Sequence, residues 1–363
     1  MCNQHAHFSP GQCIIPPYIG DKLSDNSDKK IAQRAVKNLV ETVKLRAKRE
    51  FVGGLPESQI QLLQPATAKK KAVKLNMQIY DMEHGTDPSV AKLVWDNGKV
   101  IKKLDKTGKN VVTSGTATWD LYYSIFGRNS IDNLGLLIKH YIHYYVKYNN
   151  AMWDGNEMVY GDGDGTIFGD FTIDPDIIGH ELTHGVTQYE SGLEYHVQSG
   201  ALNESLSDVF GIMVKQRILN QDAKQSNWLI GENVLLGDQY ALRSMKAPGT
   251  GYVNHPDLGT DPQPATMDKF VQLPDTSRGD WGGVHYNSGI PNFAFYNAAV
   301  NIGGFAWEKA GRIWYDAMTD DALKPNAKFV DFKKLTIQHA TKLYGKGSIE
   351  EKGVKDAWKT AKV

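Results

Sequence analysis

His180-Glu181-Leu182-Thr183-His184 sets two imidazoles four residues apart, with a carboxylate directly after the first. On a helix, residues four apart share a face, so both rings can hold one metal ion while Glu181 projects beside it toward water. Twenty residues beyond His184, the run GALNESLSD carries Glu204 and Asp208 one helical turn apart. Glu204 can supply a third ligand. Asp208 can accept the second ring proton of a ligand histidine and so fix its tautomer. Two neutral histidines and one carboxylate leave zinc a net positive charge and an open fourth position, the arrangement of a catalytic rather than a structural site. The chemistry expected is metal-assisted hydrolysis, with one zinc ion and Glu181 as the general base.

A helix has to position that pair. Asp174 is a suitable N-cap, Pro175 suits the first helical position, and Ile177 and Ile178 supply an apolar flank. From Asp174 onward the pattern is mainly helical. Before it, LNMQIYDM, KLVWD, KVIKKL and MVYGDGDG are β-like segments bounded by Gly, Asn or Asp. Between them, Ser130 is expected to cap a helix carrying Ile131, Leu134, Ile138, Ile142 and Tyr145. GDGDG at 161–165 matches neither a phosphate loop nor a calcium hand and is expected to be a tight turn. The expected body is α+β, a β-rich half followed by a mostly helical half. A length of 363 residues suits two domains with an appendage, and a 41% hydrophobic, 23% charged composition excludes a fibrous or disordered chain. No apolar run approaches the ~18 residues that cross a membrane, so no membrane partner is expected.

The appendage is the N-terminal segment. Residues 1–75 hold 13 Lys/Arg against 6 Asp/Glu, a net +7, and the remainder holds 28 against 35, a net −7. This basic segment lacks any nucleic-acid recognition motif and suits a pro-segment that covers an acidic surface. CIIPPYI at 13–19 is expected to be extended, because prolines disfavour helix. A basic helix follows, from Ser27 or Asp28 to about Glu50, with Ile31, Ala35, Leu39 and Val43 on its apolar face. Residues 53–74 have the composition of a linker open to proteolysis. Both cysteines, Cys2 and Cys13, precede the body, which therefore depends on no disulfide. A thiolate of Cys13 on zinc is chemically possible, but no metal-ligand spacing surrounds it. The N-terminus lacks the features of a secretory signal, so a cytoplasmic location or a signal-independent export route is expected.

Over residues 76–363 the blocks YNNAMWDG, MVYGDGDG, GHELTHGVTQYESGL, SGALNESLSDVFG, ALRSM and GGVHYNSGIPN resemble thermolysin-like metallopeptidases. The resemblance implies a two-domain α+β body with zinc in the cleft between the halves, divided here as 71–186 and 187–363. It implies a monomeric endopeptidase acting on peptides and proteins. Tyr195 and His285 are implied as donors to the oxyanion, with Asp280 orienting His285. Asn150, Ala151 and Trp153 are implied as the edge that pairs with substrate backbone, and Arg243 as the ligand of a substrate carbonyl. Phe168, Phe171, Ile177, Ile230 and Leu242 would line a pocket for a bulky hydrophobic residue just after the cut. Pro16-Pro17-Tyr18 is similar to the compact propeptide of the protealysin-like branch. That likeness implies an inhibitory strand in cis within a 1–70 propeptide, and a zymogen matured by autoprocessing in the linker.

The family's double calcium site is depleted: Asp176 and Glu232 stand beside Lys215, Asn227 and Leu229 at the matching positions. At most one weakly held calcium is expected, because Lys215 can pair with the remaining carboxylates. An aminopeptidase would need an acidic grip on the substrate's free amine. A non-catalytic zinc module would have little use for Glu181, Tyr195 and His285 together. His143, His196 and His339 have no such neighbours and are expected to be structural.

Overall fold

The computed structural model describes residues 13–53 and 73–363; Cys2 and nearly all of the expected linker lie outside the described residues. The first half is built on six strands: β1 (Met77–Asp81), β2 (Lys92–Asp96), β3 (Lys99–Val100), β4 (Ile138–Ile142), β5 (Ala151–Trp153) and β6 (Met158–Tyr160). Their spatial order is β3-β2-β1-β4-β6-β5. β1, β4 and β6 run parallel in the centre, and β5 returns antiparallel on β6 to form one edge. An edge strand offers unpaired N–H and C=O groups to an incoming chain.

The helix expected from Ser130 does not form. Ser130, Asn133 and Gly135 take left-handed backbone conformations, and the Asp132 carboxylate gathers the Leu134 and Leu136 amides into a turn. Ile138 and Ile142 then lie in β4. A spacing of four fits a strand face as well as a helix face, so periodicity alone could not separate the two. Conversely, α3 (Lys106–Asp120; α1 and α2 are described below) forms from a Thr-, Val- and Gly-rich stretch of low helical propensity. Asp105 caps it by accepting the Gly108 amide at 2.8 Å. Gly115 lies so close to the sheet that a Cβ there would meet the Met77 sulfur at 2.8 Å.

In the second half, α4 (Pro175–Tyr189) and α5 (Val197–Leu219) form the central pair, followed by α6 (Asp280–Asn287), α7 (Gly289–Ile302), α8 (Ala310–Met318), α9 (Phe329–Tyr344) and α10 (Ile349–Thr360). α5 is buried without interruption from Ser199 to Gln216. α4 and α5 cross at glycine: a Cβ on Gly179 would lie 2.9 Å from the Gly211 Cα, and one on Gly211 would lie 2.4 Å from the Asp176 carbonyl. That close approach brings side chains of the two helices to one place. Asp174 precedes α4 but makes no side-chain cap, because its carboxylate accepts from the Asn233 and Val234 amides instead.

The N-terminal segment folds against both halves. Extended backbone holds only as far as Pro16; Pro17 begins α1 (Pro17–Ser24), since a fixed φ suits the first helical position and its absent N–H would be unsatisfied there anyway. Tyr18 is therefore helical, with its ring 4.5 Å from that of Tyr286. α2 (Lys29–Gly53) buries Ala35, Asn38, Thr42, Leu45 and Arg49, whereas Val43 is 59% exposed. Polar groups occupy that buried face because the body supplies their partners. Asn38 donates to the Lys147 carbonyl and accepts the Asn149 amide, and Thr42 bonds the Tyr148 hydroxyl, while Lys48 pairs with Asp154 from the exposed side. Apolar spacing could not find such a face.

Candidate active site

His180 and His184 lie on α4 and Glu204 on α5, all buried. The two Nε2 atoms are 3.0 Å apart, and each stands 3.4 Å from one Glu204 oxygen. Atoms that share one tetrahedral zinc at ~2.0–2.2 Å are about 3.3–3.5 Å apart, so this N, N, O set fits zinc in size and in donor chemistry. Among the described residues it is the one group of metal-binding side chains that converges in this way. Cys13 is not part of it. Its thiol donates to the Ile15 carbonyl and accepts from Arg46 at 3.0 Å, and burial pushes the thiol pKa up.

Outer partners fix both rings. Nδ1 of His180 is 2.8 Å from Asp208, which Arg243 grips through two nitrogens and Asn292 through its amide. Nδ1 of His184 meets the Asn203 oxygen at 2.9 Å. Asn203 gives its own amide nitrogen to the Leu193 carbonyl, which turns its oxygen toward the ring and leaves Nε2 of His184 with a free lone pair. Burial drives His184 down to about 3, whereas Asp208 and Glu204 overcome the same effect at His180 and lift it to about 9. Glu181 is buried beside it, and burial raises its carboxyl to about 7. One Glu181 oxygen accepts the Trp153 amide at 2.9 Å, and the other has no partner in the protein.

A second group stands opposite. The Tyr195 hydroxyl donates to Glu204 and lies 3.1 Å from Nε2 of His285. Nδ1 of His285 is 2.5 Å from Asp280, whose other oxygen accepts the His285 amide. Asp280 and Trp281 adopt left-handed backbone conformations, as do Gly282 and Gly283, and this run turns His285 inward. Nε2 of His285 also lies 3.2 Å from the Cys13 carbonyl oxygen. Carbonyl and carboxylate only accept, so both ring nitrogens carry protons. Asp280 and Glu204 raise the pKa of His285 against the opposing effect of burial.

The N-terminal segment passes along the edge strand. The Ile14 amide donates to the Ala151 carbonyl at 3.4 Å, the Ile14 carbonyl accepts from Arg243 at 3.1 Å, and the Ile15 amide donates to the Asn150 side chain at 3.2 Å. The profile of the thermolysin metallopeptidase catalytic domain matches residues 57–188, and that of its alpha-helical domain matches residues 191–363. The chain belongs to the thermolysin metallopeptidase family. An extracellular metalloprotease of Pectobacterium carotovorum subsp. carotovorum is 52% identical over 68% of this chain and 70% of its own length. Protease PrtS of Photorhabdus sp. (strain Az29) is 44% identical over 78% of this chain and 76% of its own. The solved precursor of protealysin, a metalloproteinase from Serratia proteamaculans, matches with a TM-score of 0.83 at 40% identity, covering 96% of this chain and 99% of that one.

As a thermolysin-family member the chain is a zinc metalloendopeptidase with the two-domain fold. Phe168, Phe171, Ile177, Ile230 and Leu242 are all buried in the same apolar cluster as Ile14. Away from the cleft, Lys215 lies between Asp176 and Glu232, the two carboxylates left of the depleted calcium site. Its ammonium is 3.3 Å from Asp176, pairs with Glu232, and donates to the Leu229 carbonyl at 2.9 Å. The GDGDG stretch is a turn in which Asp164 accepts the Thr166, Ile167 and Phe168 amides. His143, His196 and His339 pair with Asp162, Asp275 and Asp320. Sequence reasoning missed Asn203, although it directly precedes Glu204. It also missed Arg49, which is fully buried and reaches the Trp153 carbonyl and Gln188 from α2.

Proposed function

We propose that this metalloendopeptidase is a self-inhibited precursor, and that once released it cuts on the amino side of a bulky hydrophobic residue. The observation that carries the reading is the register of Cys13–Ile15. A carbonyl faces His285, the next residue pairs through N–H with Ala151 and through C=O with Arg243, and the one after pairs with Asn150. The segment thus lies as a substrate would, with Cys13 just before the point of cleavage (P1) and Ile14 just after it (P1′). Ile14 is fully buried, which supports a preference for bulky apolar P1′ residues. Arg49 occupies the Trp153 carbonyl, a group that substrate backbone would need on the far side of the cut. The segment is proposed as a 1–70 propeptide removed by cleavage in the linker, ahead of a body divided at 71–186 and 187–363.

Bound zinc supplies Lewis acidity, acidifying water and polarising a carbonyl. Glu181 offers its unpartnered oxygen to the proton of the attacking water and passes that proton to the leaving amine. The Tyr195 hydroxyl and the His285 Nε2–H donate to the oxyanion, and loss of one such donor costs ~10²- to 10³-fold in rate. Asp280 keeps His285 protonated and oriented, and Arg243 holds the P1′ carbonyl while Asp208 fixes it.

Internally quenched peptides blocked at both ends test the reading. A Leu P1′ peptide should be cut roughly 10- to 100-fold faster than its Asp counterpart, and a chelator should abolish both rates. Equal rates would refute the pocket; dependence on a free N-terminus would make the enzyme an aminopeptidase.

A further inference from the structure

Arg46 of α2 touches two things at once. Its Nη2 lies 3.0 Å from the Cys13 sulfur, and its guanidinium carbon stands 5.1 Å from the centre of the Trp281 ring. The Trp281 ring meets that of Tyr195 edge-on, with centres 5.8 Å apart and planes at 71°. Trp281 belongs to the body, and its left-handed backbone is held by a 2.8 Å bond from its amide to the Thr276 carbonyl. The cation therefore rests on an aromatic seat built by the enzyme, at the tip of the side chain in the P1 position.

Cysteine is short, and Arg46 begins where its sulfur ends. A longer P1 side chain leaving the same Cα reaches the ground that Arg46 holds. When α2 departs with the N-terminal segment, the guanidinium goes and the indole face remains. Indole is the ring that attracts cations best, and arginine, planar and weakly hydrated, suits such a face better than any neutral side chain.

We infer that the seat of Arg46 on Trp281 is a cation subsite of the released enzyme, which takes an arginine or lysine at P1 of the substrate. Arg46 holds that seat in the precursor as a stand-in for the substrate's own side chain. This rests on the proposed substrate-like lie of Cys13–Ile15 and adds a second determinant to the P1′ pocket.

The test uses the full chain, incubated until intact mass shows that the N-terminal segment is gone, and three blocked quenched peptides that differ only at P1 as Arg, Gln or Phe. The Arg peptide should exceed the Gln peptide in kcat/KM by roughly 3- to 30-fold and should also exceed the Phe peptide. Trp281→Leu should bring the Arg-to-Gln ratio close to one. Trp281→Phe, which keeps an aromatic face, should retain part of it. The ratio is read within each variant, so a general loss of rate through Tyr195 does not imitate the effect. A wild-type ratio near one, a Phe peptide cut faster than the Arg peptide, or a ratio unchanged in Trp281→Leu would each overturn the subsite. Full-length chain that cuts the Arg peptide as fast as the shortened enzyme would instead sink the substrate-like lie of Cys13–Ile15 beneath it.

Discussion

The main-chain oxygen of Cys13 lies 3.2 Å from Nε2 of His285, the donor that Asp280 holds protonated from the other side of the ring. A carbonyl placed there uses the group that would otherwise steady the oxyanion of a substrate. Glu181, buried beside the metal-binding histidines, keeps one oxygen without a partner. Replacing Glu181 by Ala should leave one zinc per chain by metal analysis, because none of the three ligands changes. Turnover should fall by several orders of magnitude, and the chain should stay full length where the wild type shortens. Retention of more than a tenth of wild-type activity would show the assigned base to be wrong.

Arg49 should be the strongest single tie of the basic helix to the body. Truncating it strands the buried Trp153 carbonyl and removes one of the bonds to Gln188, which costs about 2 kcal/mol. In a Glu181→Ala background, Arg49→Ala should speed hydrogen exchange of the α2 amides by at least ~30-fold. Exchange at an unaltered rate would mean that the helix is held by something else.

The parts of this site that lie close in the chain were legible in the sequence. His180, Glu181 and His184 share one helix, and Glu204 and Asp208 share the next, so spacing grouped each set, while the glycine crossing of the two helices that joins them was not readable from spacing. Asn203 escaped notice because its role depends on where the Leu193 carbonyl lies. Arg46 on Trp281, and Arg49 at the Trp153 carbonyl, escaped because each contact forms only when an N-terminal helix docks on body segments far along the chain. The α+β division was readable from strand-like and helix-like runs, but Ile138 and Ile142 fitted both periods. α3 depends on packing against the sheet more than on its own propensities.

Lys215 should make stability indifferent to calcium. Its ammonium occupies the ground between Asp176 and Glu232, so millimolar calcium should leave the melting temperature unchanged. Lys215→Ala should lower it, and calcium should then restore part of the loss. Two calcium ions bound by the unaltered chain would contradict this assignment.

His143 links Asp162 and Asp105 at 2.8 and 2.9 Å, and its hydrogen bond to Asp162 lifts it to about 9 from an ordinary value near 6.5. A base whose pKa is raised by folding adds stability that is complete below about 6.5 and fades as pH climbs through about 9. Denaturant unfolding should therefore show stability falling across that window, and His143→Gln should flatten the fall. A profile identical in the two proteins would remove His143 from the explanation.

The most direct test follows a blocked quenched peptide and the intact mass together, from the moment freshly purified full-length chain is warmed. If the segment around Cys13–Ile15 occupies the cleft, hydrolysis should begin with a lag, and its rate should rise in step with the loss of full-length mass. Ile14→Asp, which puts a charge into the apolar pocket, should shorten the lag. Full peptide hydrolysis at time zero from a chain of undiminished mass would show that the segment does not inhibit, and would contradict the account.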